Sequence, residues 1–441
     1  MKTRGLSRAA AAATCGALLL AGCSAGNPGT SSATAGSAPT TWPDPGAGLQ
    51  GVTLTLWMST QTASMADNVI KSFEAKTGAK INKVVIPDVY ETNAPTKLAT
   101  GAKPDLATWQ PTGSMLALLK PSTDLQSLDG APWLARQTPA IQKLGMVNGH
   151  HYAAFVNVPS VLGVFYNKSV FQKAGITSTP KNFQELLADA QKIKAKGVAP
   201  FFGAAGDQWP TQWWPQVLLA EASKKGLWER VSQNKEKFTD PEILGAVRQF
   251  QDMVKQGLFN KDDKTSKYTE SGPALLKGEA AMVLQLTSFA SLMQSTADTA
   301  TIDQEIGWFP ISKDGNIATS VPGGDNALVA FKTGDPKRES GARQFLRFWL
   351  ETYYPDYVKS AGTVSIEPAV PTPAGVPEVV KQASAALDDA AGSMQQNAAV
   401  NPDFYVNLAN MVNGTMTPEQ VTSTTQSQFA QLAQALGIQG F

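Results

Sequence analysis

The 441-residue chain holds only two cysteines, Cys15 and Cys23, and two histidines, the adjacent pair His150 and His151. That supply cannot assemble a Cys/His zinc site, and any Ser/His/Asp triad would have to draw on one of the two histidines. Net charge is equally scarce, with 37 basic against 36 acidic side chains. Binding to a nucleic-acid backbone or an anionic surface scales with the charges neutralised, so no global field holds such a partner here. Nucleic acid is not an expected partner. Beyond the N-terminal segment there is no window of about 18 apolar residues to span a bilayer. Nor is there an internal repeat of solenoid or propeller length.

What is present begins with residues 1–22, where Lys2, Arg4 and Arg8 precede an uncharged stretch running through Leu18-Leu19-Leu20 to Ala21 and Gly22. Basic in front, small at its end and too short to span, this reads as a secretory signal peptide. Leu20-Ala21-Gly22-Cys23 resembles the lipobox of bacterial lipoproteins, which implies that the Cys23 thiol carries diacylglycerol and that residue 23 becomes the N-terminus. Removing Lys2, Arg4 and Arg8 leaves 34 basic against 36 acidic groups, about −2. Cys15 goes with the signal, so the mature chain has one cysteine and no internal disulfide. From Ser24 to Thr41 there is no charge and little but Ser, Thr, Ala, Gly and Pro. Such a composition cannot bury enough apolar surface to order itself. Residues 23–50 are therefore expected to form a flexible tether reaching on the order of 30 Å.

After Gly51 the pattern changes. Val52 to Trp57 is a short β-rich run, followed by a helical stretch with Met65, Val69, Ile70 and Phe73 at helix spacing and a stop at Lys76-Thr77-Gly78. Ile81–Ile86 and Pro104–Trp109 read as further strands. This alternation predicts an α/β protein with parallel sheet covered by helices. Asn182 and Glu185 have capping-box spacing ahead of a helix carrying Phe183, Leu186, Leu187, Ala190 and Ile193 on one face. The runs 241–256 and 336–353 are similarly amphipathic. Length and the lack of a second long linker indicate two lobes joined by several crossings.

Open α/β sheets bind ligands beyond the carboxyl ends of their strands. Trp57 and Trp109 end predicted strands, and an indole offers a flat face to the CH face of a sugar ring or, equally, packs in a core. Three indoles lie within six positions at Trp209, Trp213 and Trp214, and at least one should face a groove. A glycoside hydrolase would need paired carboxylates about 5–9.5 Å apart. Asp262-Asp263 and Asp388-Asp389 are visible pairs, but adjacent acids in hydrophilic segments usually face solvent. His150-His151 has no third ligand and is expected in an exposed loop after Gly149. Gly323-Gly324 lacks the strand-GxGxxG-helix context of a dinucleotide site. A purely structural surface lipoprotein is the remaining alternative.

Several segments, in order, resemble the carbohydrate-binding family of extracellular solute-binding lipoproteins of ABC transporters. They are Leu54–Trp57 with Phe73–Gly78, Lys103–Leu106 ahead of Trp109, and Tyr152–Ala154 leading to Val164–Lys168 and Phe171–Ile176. Leu276–Met282, Pro322–Gly324, and Asn413-Gly414 with Thr417–Glu419 complete the set. The resemblance covers nearly all of the chain from about residue 51. It implies a two-lobed periplasmic-binding-protein-like fold of type II that closes on its ligand by hinge motion. The first lobe would hold 51–158 plus about 312–355, and the second 162–306 plus about 363–441, with crossovers near 158–162, 306–312 and 355–363. By analogy with sugar-binding members, Ser59, Gln61, Trp109, Ser160, Trp213 or Trp214, and Ser288 with Phe289 would line the cleft. Gly324 would allow close backbone approach, and Asp325 would supply a carboxylate. Gln61 and Ser160 stand where maltose-binding members often carry acids, which leaves a sugar, another polyol or a phosphodiester headgroup as ligand. The resemblance further implies no catalysis, no cofactor and no metal. It implies a monomer, ABC permease subunits as partners, and the extracytoplasmic face of a bacterial cell membrane as its location. If Cys23 carries the anchor, Cys23→Ser should shift the protein from the membrane fraction to the soluble fraction of expressing cells. Retention of the variant in the membrane fraction would show that another element anchors it.

Overall fold

The computed structural model describes residues 41–60, 62–87, 90–322 and 327–441. The signal peptide, Cys23, Gln61, Gly324 and Asp325 lie outside the described residues.

Thr53–Ser59 forms β1, with Leu54, Leu56 and Met58 fully buried. The helix Asp67–Thr77 follows, buries Val69 and Phe73, and ends at Gly78 in the left-handed region that glycine adopts without strain. Lys80–Ile86 forms β2 and Leu106–Trp109 forms β3, both parallel to β1. The Pro-Asp motif has a structural task here. Asp105 is 0% exposed, accepts the Thr55 amide at 2.7 Å and pairs with Arg338 at 2.8 Å, so its carboxylate ties β1 and the helix Pro336–Arg347 together. A small hairpin follows, with β4 (Met146–Val147) and β5 (His150–His151) turning at Asn148-Gly149, both at positive φ. The histidines expected in a loop are thus in a strand.

Ala154–Phe155 forms β6 and Ser160–Asn167 forms β7, the long strand of a second sheet. The remaining strands are β8 (Ala199–Phe201), β9 (Ala280–Leu286), β10 (Ile306–Phe309), β11 (Thr319–Val321), β12 (Ala327–Ala330) and β13 (Ala391–Gly392). The first sheet runs β2-β1-β3-β12-β6; the second runs β13-β11-β7-β9-β8, with β10 also on β7. Strand alternation divides the faces of β7 between two cores. Val161 and Phe165 join a core continuous with the first sheet, while Leu162 and Val164 join one that includes Trp213, Trp214 and Phe201. The helix Phe183–Ala195 is capped by Asn182, which accepts the Glu185 amide at 2.9 Å; Glu185 reaches back to the Lys181 amide, one residue earlier than a capping box requires. The 241–256 run forms Pro241–Lys255, and the 336–353 run forms Pro336–Arg347 with a wider turn over Phe348–Thr352.

The passages between sheets differ from those expected. The first lies between Phe155 and Ser160, slightly earlier than 158–162, because Ser160 already pairs with Val321. The second is not at 306–312, since β10 and β11 both bond to β7; the chain reaches the first sheet only between Val321 and Ala327. The third is later than 355–363. Ile366 O still accepts the Thr138 amide and Glu367 pairs with Arg136, whereas the helix Glu378–Ala385 packs on β7 and β10. The tether is shorter than 23–50, because Trp42 packs on Trp133 and the Leu49 amide bonds Thr77 O at 2.7 Å.

Two glycines admit aromatic rings onto the second sheet. A Cβ on Gly163 would lie 2.3 Å from the Trp308 indole, and one on Gly307 would lie 2.3 Å from the Tyr166 ring. Gly163→Ala should therefore cost about 1–3 kcal/mol by overpacking, read by urea unfolding. Gly245→Ala, mid-helix with nothing within 4 Å of the added Cβ, should instead stabilise by up to about 1 kcal/mol.

Candidate functional site

The topology brings two sheet edges face to face. In the first sheet β1 and β3 end at Ser59 and Trp109, and β12 begins opposite Trp109, at the same edge from which β6 departs. In the second, β7 begins at Ser160, while β11 ends opposite it and β8 and β9 run in parallel toward the same edge. Two passages join these edges directly. A solute between them meets strand ends from both lobes, the position at which open α/β sheets hold ligands.

Among the described residues, both edges carry hydroxyls and amides. Ser59 Oγ and Thr62 Oγ1 lie 3.0 Å apart, Thr62 Oγ1 and Thr108 Oγ1 3.2 Å, and the Tyr90 hydroxyl donates to Thr108 O at 2.8 Å. Gln110 Nε2 donates to Glu91 Oε1 at 2.6 Å. Across the gap, Thr287 at the end of β9 exchanges hydrogen bonds with the Val161 backbone at 3.0–3.2 Å. A chain of amides follows: Gln395 Nε2 donates to Gln212 Oε1 at 2.5 Å, and Gln216 Nε2 to Gln395 Oε1 at 2.8 Å. Gln395 sits on the short helix Met394–Asn397, which packs on Gly113–Ala117 of the first lobe. The lobes touch at this amide-bearing helix.

The expected residues distribute unevenly over this geometry. Ser59 is at the edge, 4% exposed, its hydroxyl turned to Thr62. Ser160 opens β7 and is half-buried, and Ser288 is exposed just beyond β9. Trp109 is 0% exposed, packs on Tyr90 and donates its Nε1–H to Met115 O at 2.9 Å, so neither indole face is open. Phe289 is likewise 0% exposed and sits edge-on to Phe165. Trp213 and Trp214 belong to the second core; Trp214 meets Phe201 edge-on at 4.8 Å. One indole of the cluster stays half-buried. Trp209 pairs with the Tyr268 ring at 5.1 Å and with Trp213 at 6.0 Å.

Tyr268 was not visible from sequence, since it opens the helix Tyr268–Lys277 with nothing to mark it. Its place is set by Asp207, which accepts the Tyr268 amide at 2.7 Å and pairs with Lys267 at 3.1 Å. Gly206 allows that closeness, because a Cβ there would lie 2.4 Å from Thr265 O. Burial pushes the Tyr268 hydroxyl up to about 12, so it remains a neutral donor throughout the physiological range. The cavity it lines with Gln285, Thr211 and Asp263 holds about 30 Å³, room for only one or two waters. A sugar ring does not fit inside it. A larger hollow of about 520 Å³, near Phe183, Leu187 and Glu242, has no strand end on it.

The acidic and imidazole pairs do other work. Asp262 accepts from Asn260 at 2.8 Å, and burial holds the neighbouring Asp263 above its ordinary value. Asp388 and Asp389 end a short 3-10 turn on the surface. His150 Nδ1 lies 2.6 Å from Asp129 and His151 Nε2 2.8 Å from Gln142 O. Among the described residues no group of three or more His, Cys, Asp or Glu could hold a metal, and no helix is long and apolar enough to cross a membrane.

A family model described as bacterial extracellular solute-binding protein matches residues 59–352. The chain belongs to that family. This solute-binding protein is 25% identical to the diacetylchitobiose binding protein DasA of Streptomyces coelicolor over 339 residues, 70% of this chain and 71% of that one. It is 32% identical to an uncharacterised ABC transporter extracellular-binding protein of Pyrococcus horikoshii, over 146 residues that span 32% of that protein's length. The sn-glycerol-3-phosphate-binding periplasmic protein UgpB of Yersinia pseudotuberculosis is 25% identical over 200 residues, 43% of this chain and 42% of that one. Among solved structures, a chitin oligosaccharide binding protein matches with a TM-score of 0.71 at 21% identity, covering 86% of this chain and 98% of that one. RafE in complex with raffinose matches with 0.69 at 20% identity, covering 86% and 99%. At these identities the likeness is one of fold. It is the two-lobed fold of type II.

The burial of Trp109 sets a measurable expectation. Trp109→Ala should destabilise the solute-binding protein by about 3–5 kcal/mol, the range for deleting a buried indole, as read by denaturant unfolding. A variant of unchanged stability would mean that the indole is not held in the core in solution.

Proposed function

We propose that the protein is the lipid-anchored substrate-binding component of an ABC importer. It captures a neutral sugar or oligosaccharide between the facing sheet edges, closes by hinge motion and delivers the ligand to the permease. The observation that carries this reading is the run of neutral hydroxyl and amide groups along both edges, from Ser59, Thr62 and Thr108 to Thr287, Gln212 and Gln395. Such groups hydrogen-bond sugar hydroxyls, and a ligand lacking one leaves them unpaired at a cost of about 1–3 kcal/mol each. Trp209 with Tyr268 offers the partly open aromatic surface for stacking. Ser160 and Ser288 add hydroxyls, and Gln61, Gly324 and Asp325 belong to the proposed site by their chain position. Trp109, Trp213, Trp214 and Phe289 support it from beneath. Closure follows because the ligand contacts both edges only in the closed state.

The likeness to UgpB favours a second reading, a glycerophosphate or phosphodiester ligand. Against it, Lys267, a cation beside the aromatic pair, is already paired with Asp207 and bonded to Gly206 O. A thermal-shift panel separates the readings. N,N′-diacetylchitobiose, raffinose or another neutral saccharide at 100-fold excess over its Kd should stabilise the native protein by about 2.7 kcal/mol, with no turnover. Stabilisation by sn-glycerol 3-phosphate alone would replace the sugar reading, and hydrolysis of a saccharide would replace the transport reading.

A further inference from the structure

The segment ahead of β1 is held by one face of the helix Pro336–Arg347. Arg343, 4% exposed, lies 4.6 Å from the centre of the Trp42 ring and donates to Gln126 Oε1 and Ser127 O, both at 2.8 Å. Gln344 Nε2 donates to Ala47 O at 2.6 Å, and Arg347 Nη1 to Pro43 O at 3.0 Å and Trp42 O at 3.2 Å. Asp44 closes the turn by accepting the Gly46 amide at 2.7 Å. Residues 42–49 thus form a strap on the first lobe.

The strap does not end at that helix. The Trp42 ring meets Trp133 edge-on at 4.8 Å, and Trp133 is fully buried. Trp133 starts the 3-10 turn Leu134–Arg136, donating no side-chain bond of its own but accepting the Arg136 amide on its carbonyl at 3.0 Å. Arg136 Nη2 bonds Glu367 Oε2 at 2.6 Å, and the Glu367 side chain is 0% exposed. Beside it, Ile366 donates its amide to the Tyr354 hydroxyl at 2.8 Å and accepts the Thr138 amide at 3.2 Å. Residues 366–367 are the last of the third passage to be bonded to the first lobe.

We propose that the strap is a latch coupled to the hinge: docking of Trp42 on Trp133 holds the 134–136 turn in the arrangement that grips Glu367. A buried carboxylate is tolerated only while its partner is well placed, so a displaced Arg136 releases the 366–367 segment. Coupling of this kind is carried by packed side chains and ion pairs in contact, and it is reciprocal. Given the lipid-anchored importer proposed above, the first lobe is the one joined to the tether.

Hydrogen exchange by mass spectrometry on the full mature chain, without ligand, tests the latch independently of that importer reading. Trp42→Ala should speed exchange about tenfold at Gly46, Ala47 and Leu49 and also at Ile366 and Glu367, a factor within the usual range of coupling, with Phe183–Ala195 unchanged. By reciprocity Glu367→Gln should speed exchange at both places. Faster exchange confined to the strap in Trp42→Ala, or to 366–367 in Glu367→Gln, would overturn the coupling. If Trp42→Ala unfolds the first lobe, seen as exchange across β1 and β3, Gln344→Ala removes the strap's bonds at Pro45 O and Ala47 O without touching an ion pair, and the same comparison decides.

Discussion

Both short passages of the chain leave and enter at one edge of each sheet, and most of the site follows from that constraint. Because Phe155 leads to Ser160, and Val321 to Ala327, across a few residues, the two edges cannot be far apart. Parallel β1 and β3 in one lobe and parallel β8 and β9 in the other then point their carboxyl ends into the same gap. Backbone groups at strand ends are not consumed by the ladder, so both edges are naturally polar.

The polar groups that line it are mostly paired with one another. Ser59 with Thr62 and Thr108, and Gln212 with Gln395 and Gln216, form short networks that hold their members in place before any ligand arrives. A network of neutral groups can exchange partners at modest cost, since each hydrogen bond is worth about 0.5–1.5 kcal/mol net. Two charged pairs do structural work in the first lobe. Asp105 with Arg338 ties the first sheet to its covering helix, and Arg136 with Glu367 ties the third passage to the first lobe. These ion pairs fix the frame of the first lobe.

The aromatic residues illustrate what burial decides. Of the three indoles between 209 and 214, two fill the second core and one stays partly open against Tyr268. The number of indoles indicated that one must face outward, but which one depends on how the 209–218 segment packs on β8 and on the helix Pro241–Lys255. Trp109 shows the same limit from the other side. Its position at a strand end suited a ligand, yet Tyr90 and Met115 close over it, and both come from segments that no local pattern connects to it.

Composition and periodicity alone determined the class of the molecule: an α/β chain with two lobes, near-neutral, with too few histidines and cysteines for a zinc site. Local rules also placed β1, its following helix and the Asn182 cap, because hydrophobic spacing, glycine and capping side chains act within a few residues. The return to the first sheet between Val321 and Ala327, the passage after 367, the docking of Trp42–Leu49 and the amide chain through Gln395 were decided only by the tertiary structure. Each rests on contacts between residues far apart in the chain, such as Gln212 with Gln395 or Arg136 with Glu367. Such contacts form only when the sheets have chosen their strand order, and that order leaves no trace in the spacing of side chains along one segment.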